Sequence, residues 1–222
     1  MTQEVIEYSA AIAAPGRLII AGWTGRDLAA VEAHIAELEE LGVTRPPSVP
    51  CYYRVSNARL TTATAMQVSG GDSSGEVEFV MVMSDQGLLI GVGSDHTDRQ
   101  LETINVSQSK QICDKIIAPT LWRFEDVADH WDALLLSSWI SDGEQKHLYQ
   151  QGTVDHMLSV ADLRAGLTDI TGEDLQTGDV MFGGTLAAIG GIRTSPDFEI
   201  ELYDPVLDRR LTHRYEITEL PM

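Results

Sequence analysis

GEVEFVMVMSDQGLLIGVGSDH, residues 75–96, carries two apolar runs on either side of Asp85-Gln86-Gly87. Short runs rich in Val, Ile, Leu and Met, joined by a tight glycine-bearing turn, read as an antiparallel hairpin. Glu76 and Glu78 open the first run. Residues i and i+2 of a strand point to the same face, so both carboxylates converge on one spot. Two like charges held that close are costly unless a cation lies between them or one takes up a proton. Oxygen-only ligation suits Mg²⁺, Mn²⁺ or Ca²⁺ rather than zinc. A solvated strand face is the other reading of an isolated Glu-x-Glu.

Outward from the hairpin, CYYRV (51–55) and TATAMQV (62–68) read as further strands. Upstream of them, Leu28, Val31, Ile35, Leu38 and Leu41 recur at three- and four-residue steps, with Glu32, Glu37, Glu39 and Glu40 facing water. That spacing predicts an amphipathic helix stopped by Gly42 and Pro46-Pro47, with His34 beside its apolar stripe. Downstream, a helix is expected from Thr97-Asp98 toward Asp114, capped by Thr97 or Asp95. On it Lys110 and Asp114 stand one turn apart, which as a surface ion pair is worth about 0.5 kcal/mol. A second helix is expected over Glu125 to Trp131, leading into ALLLSSWI, and a short one near Ser159 to Leu167. Then come a strand over DVMF, a glycine-rich turn at Gly183-Gly184-Thr185, and a final strand pair, FEIELYD and LTHRYEITEL, turned at Pro205. The expectation is one β-rich α+β domain over 1–222, with three or four helices. Residues 1–48 are expected as an N-terminal strand and helix extension, and 49–222 as the core.

The formal net charge is −19, from 34 acidic against 15 basic residues. Such a field repels phosphate backbones and anionic membrane surfaces, which argues against nucleic-acid or membrane partners. An anionic substrate would need local positive charge, from a divalent cation, Lys or Arg. The opening residues lack the basic start and apolar core of a secretory signal, and no apolar run approaches the ~20 residues of a membrane span. A cytoplasmic location is therefore expected. Cys51 and Cys113, without CxxC spacing, read as buried inert thiols.

Past the hairpin, Gly93-Ser94-Asp95-His96-Thr97-Asp98-Arg99 crowds two acids, a histidine and an arginine onto the end of a strand, a common place for a site. Taken in order, Glu76-Val77-Glu78, Ser94 to Gln100, Ser109-Lys110-Gln111-Ile112-Cys113-Asp114 and Gly178-Asp179-Val180-Met181-Phe182-Gly183-Gly184-Thr185 resemble four motifs of the fumarylacetoacetate hydrolase superfamily. These are a Glu-x-Glu strand, an N-D-x-[ST]-A-R-D turn, a G-K-S-x-D segment and a G-D-x-I-x-T-G-T-P turn. The likeness runs from about Gly75 to the end, and is nearer to a shortened bacterial branch of that superfamily.

The resemblance implies a mixed β-roll of that superfamily's C-terminal-domain type, assembled as a homodimer. It implies Mg²⁺ or Mn²⁺ held by Glu76, Glu78 and Asp95, with Asp98 as the other candidate for third ligand. A small anionic 2-oxo acid would chelate the metal, Lys110 would stabilise the enolate, and Arg99, Gly184 and Thr185 would bind substrate. The implied activity is hydrolysis of a C–C bond in an acylpyruvate-like 2-oxo acid. Isomerisation, decarboxylation and hydration share the same intermediate and remain alternatives, as does a non-catalytic binding protein on the same fold. Several departures bear on this choice. Glu102 stands where the superfamily often has Gln, Leu186 replaces the proline after Thr185, and the segment between Glu78 and Asp95 is short. The water-activating His-x-x-Glu dyad has no clear counterpart, since His34 and Glu37 have its spacing but read as a plain helix face. His96 beside Asp95 reads either as a packing residue or as a general base.

Overall fold

The hairpin lies at the centre of the main sheet, and both of its faces are covered. The computed structural model describes residues 5–12, 14–40, 45–143 and 145–221. In chain order its strands begin with β1 (Ile6–Glu7), β2 (Leu18–Gly22), β3 (Cys51–Val55), β4 (Leu60–Thr61), β5 (Ala65–Ser69), β6 (Ser73–Ser74), β7 (Val77–Ser84) and β8 (Gly87–Asp95). They continue with β9 (Thr97–Asp98), β10 (Lys115–Ile117), β11 (Thr120–Arg123), β12 (Leu135–Ser141), β13 (Lys146–Thr153), β14 (Val180–Thr185), β15 (Asp197–Asp204) and β16 (Arg209–Leu220). The helices are α1 (Tyr8–Ala11), α2 (Leu28–Glu40), α3 (Arg99–Glu102), α4 (Val106–Gln111) and α5 (Val160–Thr171).

The nine-stranded sheet runs β1-β11-β8-β7-β14-β2-β3, with β10 pairing both β8 and β4. A five-stranded sheet, β13-β12-β15-β16-β5, packs across one face, and β6 with β9 forms a two-stranded ribbon. This is the mixed, β-rich α+β architecture expected. Period-two geometry explains the unbroken apolar run of β7. Val77, Phe79 and Met81 face the second sheet and join Leu136, Phe198, Ile200 and Tyr215 in one core. Val80 and Val82 face the other way, toward Leu18, Ile20, Leu121 and Phe182. Glu78 shares that second face, at its polar end.

The N-terminal segment enters the main sheet through β1 and β2. β2 is hydrogen-bonded in parallel to β14 and antiparallel to β3. α2 forms over the expected stretch with Ile35 buried and Val31 half-buried, but Leu28, at the head of the expected stripe, is exposed. Leu41 and Gly42, the expected stop, lie outside the described residues, as do the side chains of His34 and Leu38. The helix expected over 97–114 is two short ones, because Asp98 and Asn105 each cap a new start. Their Oδ1 atoms accept from the N–H of Leu101 at 2.8 Å and of Gln108 at 2.9 Å. Thr97 and Asp95 are therefore not caps. Residues 124–133 form tight 3-10 turns instead of an α-helix. Gly183-Gly184 is not a turn either: both residues lie inside β14, where the register with β7 slips between Phe182 and Thr185. No helix among the described residues is long and apolar enough to cross a membrane.

Candidate metal and substrate site

Antiparallel pairing sets Glu78 opposite Gly93 and Val77 opposite Ser94, so Asp95 arrives one residue past the start of β7, level with Glu76. The Asp95 N–H donates to the Glu76 carbonyl at 3.0 Å, which fixes that alignment. Each of Glu76, Glu78 and Asp95 presents one carboxylate oxygen, and these oxygens lie within 4.8 Å of one another. Glu78 and Asp95 are buried and Glu76 is half-buried at the mouth. Asp98 stays outside the trio, spent on its cap of α3. Between the two candidates for third acid, the geometry brings in Asp95.

Of the chain's three lysines, two surround Asp95. Lys110, on α4, meets Asp95 Oδ2 in a very short ion pair, stands 3.8 Å from Glu76 Oε2, and donates to Thr97 Oγ1 at 3.3 Å. Lys115, on β10 and paired across to Asp95, brings its Nζ to 3.0 Å from Asp95 Oδ1. The surface pair expected between Lys110 and Asp114 does not form, because α4 turns Lys110 inward while Asp114 pairs with Arg59 at 3.2 Å. Arg99 reaches Glu76 Oε1 at 3.1 Å and Glu102 Oε2 at 2.9 Å, and its Nε donates to Ser74 Oγ at 2.6 Å.

β14 closes the site from the other side. The Gly184 N–H donates to Glu78 Oε2 at 2.6 Å. Thr185 Oγ1 donates to the Val77 carbonyl at 2.7 Å and accepts from Gln150 Nε2 at 2.8 Å. Gly184 sits at φ +104, and a Cβ there would lie 1.8 Å from Thr24 Oγ1. Gly184→Ala is expected to cost about 3 kcal/mol, from left-handed strain and a clash with buried structure. Calorimetry should show an unfolding midpoint lower by roughly 6–12 °C. Asp179, from the same motif, is remote from this cluster: it accepts from Arg17 Nε at 2.8 Å and the Arg17 main-chain N–H at 2.7 Å.

The charges are mutually dependent. Burial raises the Glu78 pKa well above the usual carboxylate range, and the nearby Asp95 and Glu76 push it further. Burial acts on Asp95 in the same sense, but Lys110 and Lys115 overcome it and hold the carboxyl at about 2. Lys110 is raised above the ordinary ammonium value by Asp95 and Glu76 against the opposing effect of burial, so it stays charged. Four carboxylates (Glu76, Glu78, Asp95, Glu102) against three cations (Lys110, Lys115, Arg99) leave a formal charge of −1 when all are ionised. A divalent ion would reverse that to +1. The oxygen-only donors and a buried Glu78 whose ionisation is opposed by two neighbours fit a hard divalent cation such as Mg²⁺ or Mn²⁺. Glu76, Glu78 and Asp95 form a triad able to hold one.

His96 is sealed behind Asp95. It has no exposed surface, its Nδ1 lies 3.0 Å from Ser73 Oγ and its Nε2 2.7 Å from Tyr215 OH. Burial, with Lys115 next, lowers its pKa to about 3. Of the two readings of His96, the packing one matches this enclosure, since both nitrogens are engaged and the side chain has no exposed surface. The unfolded chain carries the proton below pH 6.5 and the folded one does not. This contribution to stability is therefore complete above 6.5 and falls as the pH drops toward 3, by up to about 1.4 kcal/mol per pH unit. Chemical unfolding from pH 7 to 4 should show that slope, flattened in His96→Gln.

Sequence reading missed Lys115, Gln150 and the aromatic pair beside Lys110. The Lys110 Nζ stands 6.0 Å from the Tyr53 ring, and Trp23, at φ 58, hydrogen-bonds the Tyr53 hydroxyl. A positive φ is unusual for a bulky residue, and no sequence pattern announces it.

The fold is shared with solved structures of the fumarylacetoacetate hydrolase superfamily. A crystal structure of Cg1458 with inhibitor superposes with a TM-score of 0.70 at 15% identity, covering 93% of this chain and 78% of that one. 2-Keto-3-deoxy-D-arabinonate dehydratase, complexed with magnesium and 2,5-dioxopentanoate, gives 0.63 at 13%, with 94% and 74% covered. 4-Oxalocrotonate decarboxylase from Pseudomonas putida G7, complexed with calcium and acetate, gives 0.56 at 14%, with 92% and 79% covered. No functionally curated protein matches the sequence. The chain belongs to the family described as protein of unknown function (DUF2848), whose profile matches residues 21–215.

Proposed function

We propose that this protein is a metal-dependent enzyme that converts a small 2-oxo acid through its enolate, with decarboxylation or dehydration as the outcome. The observation that carries the reading is the convergence of Glu76, Glu78 and Asp95 within 4.8 Å beside the buried ammonium of Lys110. Mg²⁺ or Mn²⁺ held by the triad would polarise the carbonyl of the 2-oxo acid. Lys110 supplies fixed positive charge where the enolate oxygen develops, in a site largely shielded from water. Arg99 anchors Glu76 and Glu102 and adds positive charge beside the triad, where a substrate carboxylate would approach. Gly184 holds Glu78 through its N–H, and Thr185 ties that strand to Val77.

The superfamily fold hosts metal-bound enzymes of 2-oxo acids, a dehydratase and a decarboxylase among the similar structures. C–C hydrolysis needs a group that activates water. Among the described residues around the triad, the charged groups belong to the carboxylate cluster or to ion pairs, and His96 is enclosed. Loss of CO₂ from a 2-oxo acid with a 3-carboxylate calls for an electron sink, which a metal held by the triad would supply together with Lys110, and for one proton from water at the carbon that CO₂ leaves. The test is turnover of oxaloacetate, a 2-keto-3-deoxy sugar acid and an acylpyruvate with Mg²⁺ or Mn²⁺. Metal-dependent loss of CO₂ or water supports the proposal. Cleavage of the acylpyruvate alone would restore the hydrolase reading, and metal binding with no turnover would favour a binding protein.

A further inference from the structure

Lys115 opens β10 with no exposed surface. Its ammonium donates to the main-chain carbonyls of His96, of Lys110 at 2.6 Å and of Cys113 at 3.3 Å, and stands 3.0 Å from Asp95 Oδ1. An ammonium has three N–H bonds, so four oxygens saturate it. Three carbonyls and a carboxylate are the surroundings of a bound monovalent cation, here tethered by a lysine stem. Those oxygens come from the end of β8, the end of α4 and the turn before β10. Lys115 stands in ion-pair contact with Asp95 Oδ1 while Lys110 hydrogen-bonds Oδ2, and with no exposed surface Lys115 cannot reach a substrate.

We propose that Lys115 is a positioning residue of the metal site: its ammonium aims Asp95 at Glu76 and Glu78 and ties the end of β8 to the helix that carries Lys110. This rests on the reading of the triad as a metal site. A lysine that merely fills volume would be replaceable by an uncharged side chain of the same length. A lysine that positions would not. Partners that orient ligating carboxylates change metal affinity by roughly 10- to 100-fold when removed.

The test is Mn²⁺ affinity, read from the spectrum of free Mn²⁺, in wild type, Lys115→Met and Lys115→Ala. We expect Lys115→Met to unfold cooperatively yet bind Mn²⁺ at least about tenfold more weakly than wild type. Lys115→Ala should regain most of its affinity in n-propylammonium chloride and none in 1-propanol, because the rescue requires the charged donor. Wild-type affinity in Lys115→Met, or equal rescue by 1-propanol, overturns the proposal and leaves the metal reading intact. A wild type that binds no Mn²⁺ sinks the metal reading and this proposal with it.

If the variants do not fold, lysine carrying ¹⁵N at Nζ decides the matter in the wild type, since three lysines give three signals. The Lys115 ammonium is expected to be protected from solvent exchange and to shift on Mg²⁺ addition. Exchange as fast as that of Lys146, whose side chain is 48% exposed, or no response to saturating Mg²⁺, overturns the proposal.

Discussion

Replacing both Glu76 and Glu78 by Gln is expected to weaken Mg²⁺ or Mn²⁺ binding by at least about 100-fold, roughly 2.7 kcal/mol, and to abolish metal-dependent turnover. The two carboxylates face one spot because the strand alternates, and Gln keeps their shape while removing the charge. The folded state should not suffer. Glu78 is buried and its ionisation is opposed by its surroundings, so neutralising it relieves repulsion with Asp95 and Glu76. Glu76→Gln gives up the ion pair with Arg99, which offsets that relief, so the double variant should unfold near the wild-type midpoint without metal, while losing the stabilisation that metal gives wild type by mass action. Calorimetric titration together with thermal unfolding, each with and without Mn²⁺, checks both halves. Unchanged binding in the double variant would remove these glutamates from the metal site.

Lys110→Met is expected to separate binding from chemistry. Lys110 is buried against Asp95 and near Glu76, and its positive charge opposes a metal ion at the triad. Without it, Mn²⁺ affinity should stay within about tenfold of wild type, since Lys115 still holds Asp95. Turnover should fall by about 10²–10³, the loss typical of removing one preorganised donor from a developing oxyanion. Breaking a buried pair also costs stability, by about 3 kcal/mol, so the assay must be run well below the unfolding midpoint. Equal loss of affinity and turnover would mean that Lys110 only supports the ligands.

The sequence disclosed the glutamate pair for a reason that is local. Glu76 and Glu78 share a face by strand periodicity, whereas Asp95 entered through the resemblance and the hairpin register then sets it level with Glu76. Lys110 entered through the resemblance alone, as helix spacing paired it with Asp114. Lys115 stayed hidden because its meaning depends on register. It reads as a polar start to an apolar strand until β10 pairs with β8 and sets it opposite Asp95. Gln150 was hidden for a similar reason: β13 reads as polar, and only its pairing with β12 turns Gln150 toward Val77 and Thr185. Helix extents failed where side-chain caps interrupt the backbone, at Asp98 and Asn105. The N-terminal strand looked peripheral because nothing in LIIAG shows that it lies between β14 and β3.

Anomalous diffraction from crystals grown with Mn²⁺ and oxalate, a mimic of a 2-oxo acid enolate, tests the central claim most directly. One strong peak is expected, bonded to an oxygen from each of Glu76, Glu78 and Asp95, with oxalate on its open positions and Lys110 against an oxalate oxygen. No peak at saturating Mn²⁺, or one bonded to other residues, would contradict the assignment of this site.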